Sequence, residues 1–406
     1  MTRISQAANR SSPEAVLTAM AESMPERVEP RCRHFGACGG CQLQHLPQGT
    51  QLAAKTRMLV DVLERAGLGN IPTPQVHAAE PWGYRNRARM RVENGRIGYS
   101  RRSSNEFLPI EECPIASPLV WRAANTLQTL TASGKARWPT GTQSFEIFAN
   151  GDESALQLSI QLDARVATVD RDAPRDLRTL CEVLRADVPE LAGAGLLVFA
   201  NPDPTQSRRV QESQRVEIAR WGEPALVYHV AGTDYRVSRN AFFQVNRFLT
   251  ATMRQLVVGS RAGSLAYDLF AGAGLFTVPL AHQFEKVVAV EIGEPAATDL
   301  LTHLQACGPQ HRAVRSTALD FLKRQTGSTT PDLIVLDPPR AGLGRQTALA
   351  LAAMKAPEIV YVSCDAGTFA ADSRTLLESG YTLHHLHLLD LFPQTFHTET
   401  VAVFRR

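Results

Sequence analysis

The sequence predicts an α/β fold: a mostly parallel sheet flanked by helices in the C-terminal half, behind a β-rich central domain and a cysteine-rich N-terminal loop. Three observations carry this. After about Arg239, apolar strand-like runs at 264–270, 287–292, 333–336 and 359–363 alternate with helical stretches, the pattern of helices laid on both faces of a parallel sheet. From Tyr84 to about Val237 strand signals dominate, including a hairpin at 144–148 and 155–162 with its turn at Asn150-Gly-Asp. Cys32-x5-Cys38-x2-Cys41 places three soft metal ligands in ten residues, among glycines that relieve crowding.

Taken in order, residues 1–31 are polar and proline-punctuated and read as a loose tail with a weak helix around 13–24. Behind the cysteine loop, 51–66 reads as an amphipathic helix with Leu52, Thr56, Leu59, Val60 and Leu63 on one face, closed by Gly67. Between Tyr84 and Arg102 stand seven arginines and one glutamate, with arginine at every second position from Arg85 to Arg91. Trp82, Tyr84 and Tyr99 lie nearby. Alternation puts those arginines on one strand face, which fits a nucleic-acid-facing strip. It also fits a solvated face in a chain that uses arginine for 38 of its 43 basic residues.

Further on, Asn201-Pro-Asp-Pro204 reads as a loop and 242–258 as a helical stretch. At the end, 383–391 and 400–404 flank a short loop as an antiparallel pair. The expected domains are a tail at 1–31, the cysteine loop and helix at 32–83, a β-rich domain at 84–238 and the sheet domain at 239–406.

A length of 406 residues suits two or three domains. With 43 basic against 40 acidic residues, no global field announces a polyanion partner. A signal peptide's pattern and any run of about 18 apolar residues are missing. Seven cysteines without an export signal argue against a disulfide scaffold. A cytoplasmic chain that meets no membrane and acts as a monomer is expected.

Asp268-Leu-Phe270-Ala-Gly272-Ala-Gly274 follows a strand and opens toward a helix. Its glycines let backbone approach a ligand closely and leave helix N-terminal amides free. The next strand ends in Glu291, 17 residues after Gly274, where a carboxylate can accept from both ribose hydroxyls. A third glycine in dinucleotide spacing and a Walker lysine are both missing, so a single-nucleoside cofactor fits better than NAD or ATP. The turn Asp337-Pro-Pro-Arg340 lands on the same sheet rim. Together these favour S-adenosylmethionine.

The reacting residues follow from carbon chemistry. Carbon 5 of a pyrimidine has no lone pair with which to take a methyl group. A thiolate that adds to C6 pushes electron density to C5, and a base must later remove the C5 proton so that the thiolate can leave. Cys364, at the end of an apolar strand, fits the nucleophile, and Glu399, in Phe392-Pro-Gln-Thr-Phe-His-Thr-Glu399, fits the base. The plainer alternatives are a buried small residue and a surface carboxylate. Arg340 lowers the thiol's pKa, binds a uracil oxygen or forms a salt bridge, and His397 packs beside the site. Cys113, in Ile110-Glu-Glu-Cys113-Pro114, is a fourth thiol for the loop, and the proline after it matches iron–sulfur ligand runs. A second Cys-x2-Cys knuckle is missing, which favours a [4Fe–4S] cluster over zinc. Cys181 and Cys307 fall in helix-like segments and read as core.

With these residues assembled, the chain resembles the bacterial RNA 5-methyluridine methyltransferases that carry an iron–sulfur cluster. The matching motifs are Cys-x5-Cys-Gly-Gly-Cys with a distant Cys-Pro, Phe242-Phe-Gln-Val-Asn246, Asp268-Leu-Phe-x-Gly-x-Gly, Asp337-Pro-Pro-Arg, Val362-Ser-Cys364 and Phe-Pro-x-Thr-x-His-x-Glu399. The resemblance implies a class I methyltransferase (Rossmann-like) domain behind a β-rich RNA-binding domain. It implies that Gln244, Phe270, Gly272, Leu275, Glu291 and Asp337 line the S-adenosylmethionine site, with Cys364 as nucleophile and Glu399 as base. It further implies that Cys32, Cys38, Cys41 and Cys113 hold the cluster. The chain departs from the family at Ala271, Leu275, Thr317 (where Asp320 is a substitute) and Asp365.

Some family members carry an N-terminal β-barrel module, which 31 residues are too few to form. The shorter subgroup, acting on 23S ribosomal RNA, is therefore expected. The alternatives are a transfer-RNA uridine, a nitrogen-directed nucleic-acid methyltransferase and a non-catalytic iron–sulfur RNA-binding protein.

Overall fold

The computed structural model describes residues 13–163, 165, 171–199, 215–327 and 329–406. The first twelve residues of the expected tail and the expected loop at Asn201-Pro-Asp-Pro204 lie outside them. The chain divides into two compact units, one within Met1–Glu29, Gln42–Pro81 and Leu249–Arg406 and the other within Pro30–Cys41 and Trp82–Phe248.

The first unit is built on an eight-stranded sheet. Its strands lie in the order Gln75–His77, Thr382–Leu389, Glu399–Arg405, Glu358–Ser363, Leu333–Leu336, Gly263–Leu269, Phe284–Glu291 and Arg312–Arg315. Each neighbouring pair is parallel except the two made by Glu399–Arg405, which runs against both its neighbours. The strands expected at 264–270, 287–292, 333–336 and 359–363 all form, as does the terminal antiparallel pair. Leu333–Leu336 is buried at every position, as expected of a strand covered on both faces.

Helix Gln48–Arg65 forms where an amphipathic helix is expected, but it is turned about its axis. Its buried residues are Gln51, Ala54, Lys55, Met58, Leu59 and Leu63, while Leu52, Thr56 and Val60 are only half-buried. The pattern misleads because Gln51 and Lys55, polar by type, belong to the inward face. Helix Pro13–Ser23 also forms and contributes Leu17 and Ala21 to the same core.

The expected helix at 242–258 is realised only as Thr250–Val258. Upstream, backbone bonds go elsewhere: Asn86 N donates to Val245 O, Arg247 N to Tyr84 O, and Phe248 N to the Asn246 side chain. Amides spent on a neighbouring segment cannot close their own helical turn. Cys181 is buried in helix Ala173–Asp187, whereas Cys307 ends helix Ala296–Cys307 half-exposed and is not a core residue.

The second unit is a seven-stranded sheet in the order Phe107–Pro109, Arg96–Ser100, Arg87–Glu93, Thr142–Ala149, Leu156–Leu162, Leu191–Phe199 and Arg215–Gly222. Its one parallel pair, Leu156–Leu162 with Leu191–Phe199, is bridged by helix Ala173–Asp187. That helix and Pro118–Ala132 pack on the sheet through Leu119, Ala123, Leu127, Leu177 and Leu180. Ala173–Asp187 is the helix-like segment around Cys181, whereas Pro118–Ala132 does not stand out against the alternating pattern, although Ser117-Pro118 is a helix start. Strands Ala225–Val230 and Thr233–Ser238 form a separate hairpin.

Candidate active site

In the first unit the strand order reverses between Gly263–Leu269 and Leu333–Leu336. From the former the chain builds outward through Phe284–Glu291 and Arg312–Arg315, then crosses back to the other side. Ligand crevices of open α/β sheets lie at the carboxyl ends of strands at such a switch. The residues that leave those two strands are the glycine turn after Leu269 and Asp337 after Leu336.

The glycine turn is held in an uncommon backbone shape, with Phe270, Gly272 and Gly274 at φ of 60°, 55° and 95°. A left-handed phenylalanine is strained, which is characteristic of residues held by a functional turn. A Cβ on Gly272 would meet nothing within 4 Å, so the space beside it is open. Glu291 faces this turn: its carboxylate accepts from Gly272 N at 2.9 Å and from Ile292 N and Gly293 N at 2.9 and 2.6 Å. Leu275 is buried against the core.

Beneath the turn sits Asp268, wholly buried, accepting from the Thr277 hydroxyl through Oδ2 while Oδ1 has no partner. Burial pushes its pKa up to about 7, with Asp337 and Glu291 adding to the rise. Burial likewise pushes Asp337 up to about 7. Asp268 was not singled out as a site residue, yet an acid ending an apolar strand just before a glycine turn is a legible signal. Gln244 belongs to the second unit, where it is buried. Thr317 caps helix Ala318–Gln325 and binds Asp320, whose backbone N donates to Thr317 Oγ1 at 3.0 Å.

The reversed strand explains how Cys364 and Glu399, distant in sequence, come together. Glu358–Ser363 ends at the carboxyl edge of the sheet. Glu399–Arg405 runs the other way and so begins at that edge. Ser363 is paired with Thr400, whose hydroxyl donates to Ser363 O at 3.2 Å. Cys364 therefore leaves one strand beside the point where Glu399 opens the next. Asp365 then caps helix Ala366–Glu378, accepting from Thr368 N at 2.9 Å, so the chain's departure from the family at this position still supplies an N-cap.

The electrostatics join these groups. Burial first, then Glu399 and Asp337, push the Cys364 thiol up to about 12, against a lowering by Arg340. Burial and Asp337 raise Glu399 well above the usual carboxylate range, again opposed by Arg340. Arg340 itself donates to the His397 ring at 3.2 Å. The turn carrying Arg340 is held by Asp372, which accepts from Leu343 N at 2.7 Å and from the Tyr361 hydroxyl at 2.8 Å. Glu399 and Asp337 act on the Cys364 thiol with Arg340 as the opposing positive group, and the natural complement of such a cluster is a cationic ligand.

In the second unit, Arg33 and His34 tie the cysteine loop to the segment around Cys113. Arg33 N donates to Glu112 Oε1 at 2.7 Å, its guanidinium to Glu111 Oε2 at 2.9 Å, and Glu111 N donates to His34 Nε2 at 3.0 Å. Burial raises the Cys32, Cys38 and Cys113 thiols, and each is raised further by another of the three. These thiols are thus neighbours across two segments. Among the described residues, however, no three histidine, cysteine or acidic side chains converge as a ready metal group. The donor set suits a soft metal, but the thiols would have to draw in around it.

The arginine strip is largely engaged within its own unit. Ala88 and Met90 point to the core, leaving Arg87, Arg89 and Arg91 on the opposite face. Arg87 and Arg89 share Glu146, at 2.9 and 3.1 Å, and Arg91 pairs with Glu93. Arg101 pairs with Glu106, while Arg96 and Arg102 are exposed. Four of the seven arginines are thus ion-paired within their own unit. No helix among the described residues is long and apolar enough to cross a membrane.

A model of the tRNA (uracil-5-)-methyltransferase family matches residues 322–406, the stretch that carries Asp337, Cys364 and Glu399. A 23S rRNA (uracil(1939)-C(5))-methyltransferase of Edwardsiella ictaluri is 31% identical, the match covering 96% of this chain and 84% of the relative. An uncharacterized RNA methyltransferase of Aquifex aeolicus is 29% identical over 96% of this chain and 87% of its own length. Among solved structures, the Pyrococcus abyssi tRNA (uracil-54, C5)-methyltransferase, in complex with S-adenosyl-L-homocysteine, shares the fold. Its TM-score is 0.72 at 22% identity, covering 94% of this chain and 87% of that one.

Proposed function

This chain belongs to the bacterial RNA 5-methyluridine methyltransferase family, and from that premise we propose that it methylates C5 of a uridine in 23S ribosomal RNA. The observation that carries this reading is the approach of Cys364 and Glu399 at the carboxyl edge of the sheet, across the Ser363–Thr400 pair. A methyltransferase acting on nitrogen needs no such thiol.

In the proposed reaction Cys364, as the thiolate, adds to uracil C6 and drives electron density to C5. When bound, S-adenosylmethionine supplies the methyl group, on a cationic sulfur, that C5 takes. Glu399 then removes the C5 proton, the C5–C6 double bond re-forms, and Cys364 departs as thiolate. Burial raises the pKa of both groups in the free protein, and both become more acidic when positive charge enters beside Asp337. Phe270, Gly272, Leu275, Glu291 and Asp337 are the proposed cofactor wall of the first unit, with Asp268 buried behind the turn. The uridine must leave its stack to bring C5 and C6 between Cys364 and Glu399.

The unit of 82–248 is proposed to hold the RNA, chiefly through phosphate and therefore salt-sensitively. Action as a cytoplasmic monomer belongs to the same proposal. Cys32, Cys38, Cys41 and Cys113 are proposed to hold a [4Fe–4S] cluster, supported by the closeness of three of these thiols. Anaerobic reconstitution followed by iron, sulfide and zinc analysis distinguishes the cluster from zinc.

The substrate is tested by incubating the protein with S-adenosylmethionine and either 23S ribosomal RNA or transfer RNA, then digesting to nucleosides for mass spectrometry. New 5-methyluridine in the ribosomal RNA alone is the expected result. Its appearance in transfer RNA alone would move the target and keep the chemistry.

A further inference from the structure

The loop that leads into Glu399 is tied down by buried polar groups of helix Gln48–Arg65. Lys55 and Asp390 are both wholly buried, with Nζ 2.6 Å from Asp390 Oδ1. The same ammonium donates to Phe392 O at 3.0 Å. One turn earlier, Gln51 and Gln394 exchange bonds: Gln51 Nε2 donates to Gln394 Oε1 at 3.0 Å and Gln394 N donates to Gln51 Oε1 at 3.1 Å. Gln394 O accepts from both Gln42 N and Leu43 N at 2.9 Å. Gln394 itself is held at a φ of 69°, a conformation that few glutamines adopt unaided.

These ties grip the stem of one loop. Asp390 directly follows Leu389, and Leu389 is the register partner of Glu399 in the antiparallel ladder. The loop between them is the Phe392-Pro-Gln-Thr-Phe-His-Thr-Glu399 motif. A shift of Asp390 or Phe392 is therefore passed through a single pair to the backbone that carries the Glu399 carboxylate.

Stability alone is a weak reason for such a pair. Desolvation of two buried ions offsets most of their attraction, and apolar residues of similar volume commonly replace them without loss. Asp390 Oδ2 is even left without a partner. What apolar residues cannot reproduce is the bond from Lys55 to the Phe392 carbonyl.

We propose that Lys55, acting through Asp390 and the Phe392 carbonyl, is a positioning residue for Glu399 in the proton-removal step. The proposal rests on the reading of Glu399 as the base. Lys55 touches neither substrate nor cofactor and supplies no proton. It fixes where the carboxylate stands when the C5 proton must leave. Because that step comes after methyl transfer, a misplaced Glu399 has its own signature: methylated RNA that stays bonded to the protein.

The test is the double variant Lys55→Met/Asp390→Leu, which keeps volume and removes both charges and the carbonyl tie. Its S-adenosylmethionine affinity is expected to stay within about twofold of the parent. On unmodified 23S ribosomal RNA its turnover is expected to fall by about tenfold or more, and a covalent protein–RNA adduct should persist on a denaturing gel where the parent shows none. Gln51→Met, which cuts only the tie to Gln394, should show the same stalled adduct more weakly and serves if the double variant does not fold.

Full turnover in a folded variant overturns the proposal. So does a loss in which the variant also fails to form an adduct with 5-fluorouridine-substituted RNA, because that places the defect before the base step. If the parent protein itself forms no adduct with the fluorinated RNA, the reading of Cys364 and Glu399 has failed, and the role of Lys55 falls with it.

Discussion

Two sets of cysteines in this chain are raised by burial, and they are held in opposite ways. Cys364 stands between a paired strand and a capped helix, so the sheet fixes its neighbours: Thr400 across the ladder, Asp365 at the cap, Glu399 beside it. Cys32 and Cys38 sit in turns, joined to the Cys113 segment through Arg33 and His34. Carboxylates surround the first thiol, and other thiols surround the second group. Both environments are short of positive charge. The difference teaches where the organising energy comes from. Strand ends assemble the Cys364 site without help, whereas the loop thiols, on the proposed reading, would gather fully only around a metal that offsets their desolvation.

The most severe way to break this comparison is to remove the sheet-held thiol. Cys364→Ser is expected to abolish turnover and adduct formation while leaving S-adenosylmethionine binding intact. Near-normal methylation by that variant would instead favour attack by a nucleobase nitrogen. Glu399→Gln is expected to lower turnover by a factor on the order of 10²–10⁴, the usual contribution of one general base. Methylated RNA should accumulate on Cys364, as mass spectrometry of the protein would report.

Cys113→Ser sharpens the other half. It is expected to lose iron after anaerobic reconstitution and to melt lower, with S-adenosylmethionine affinity unchanged within about twofold, since the proposed cofactor wall belongs to the first unit. Unchanged iron content would remove Cys113 from the ligand set.

A smaller effect follows from pH. Asp268 and Asp337 rise from the ordinary 3.8 to about 7 on folding. Because the folded state favours their protonated forms, their stabilisation is full below about pH 4 and is lost as pH rises toward 7. The ligand-free protein should therefore melt lower at pH 8 than at pH 5 through these two groups. A sulfonium ligand should reverse that loss, giving a larger thermal shift with S-adenosylmethionine at pH 8 than at pH 5. Neutral S-adenosylhomocysteine should show less of this trend. The smallest expected effect is that of Asp365→Asn, which keeps a side-chain cap and should change stability by less than about 0.5 kcal/mol.

These outcomes also mark what was legible in the sequence. The four central strands were readable because a parallel strand covered on both faces is an unbroken apolar run. The terminal pair was readable from its loop. The rotation of helix Gln48–Arg65 was not, because Lys55 and Gln51 read as solvent-facing until Asp390 and Gln394, more than 300 residues away, are seen to receive them. The shortened helix at Thr250–Val258 differs for a similar reason, since upstream the Arg247 amide is taken by the Tyr84 carbonyl and the Val245 carbonyl by the Asn86 amide, which no local pattern announces. Arg87, Arg89 and Arg91 lie on one strand face as expected, with Arg85 ahead of the strand, but Glu146, which pairs with two of them, comes from another strand. Motif residues are visible in a sequence, and the partners that hold them usually are not.

The central claim is that Cys364 forms a bond to uracil C6 during methyl transfer. It is tested most directly by incubating the protein with 5-fluorouridine-substituted 23S ribosomal RNA and S-adenosylmethionine, then mapping any adduct by peptide mass spectrometry. Fluorine at C5 leaves Glu399 no proton to remove, so the account predicts a stable methylated adduct on the peptide bearing Cys364. With cofactor binding verified, no adduct on that peptide from either ribosomal or transfer RNA would contradict it.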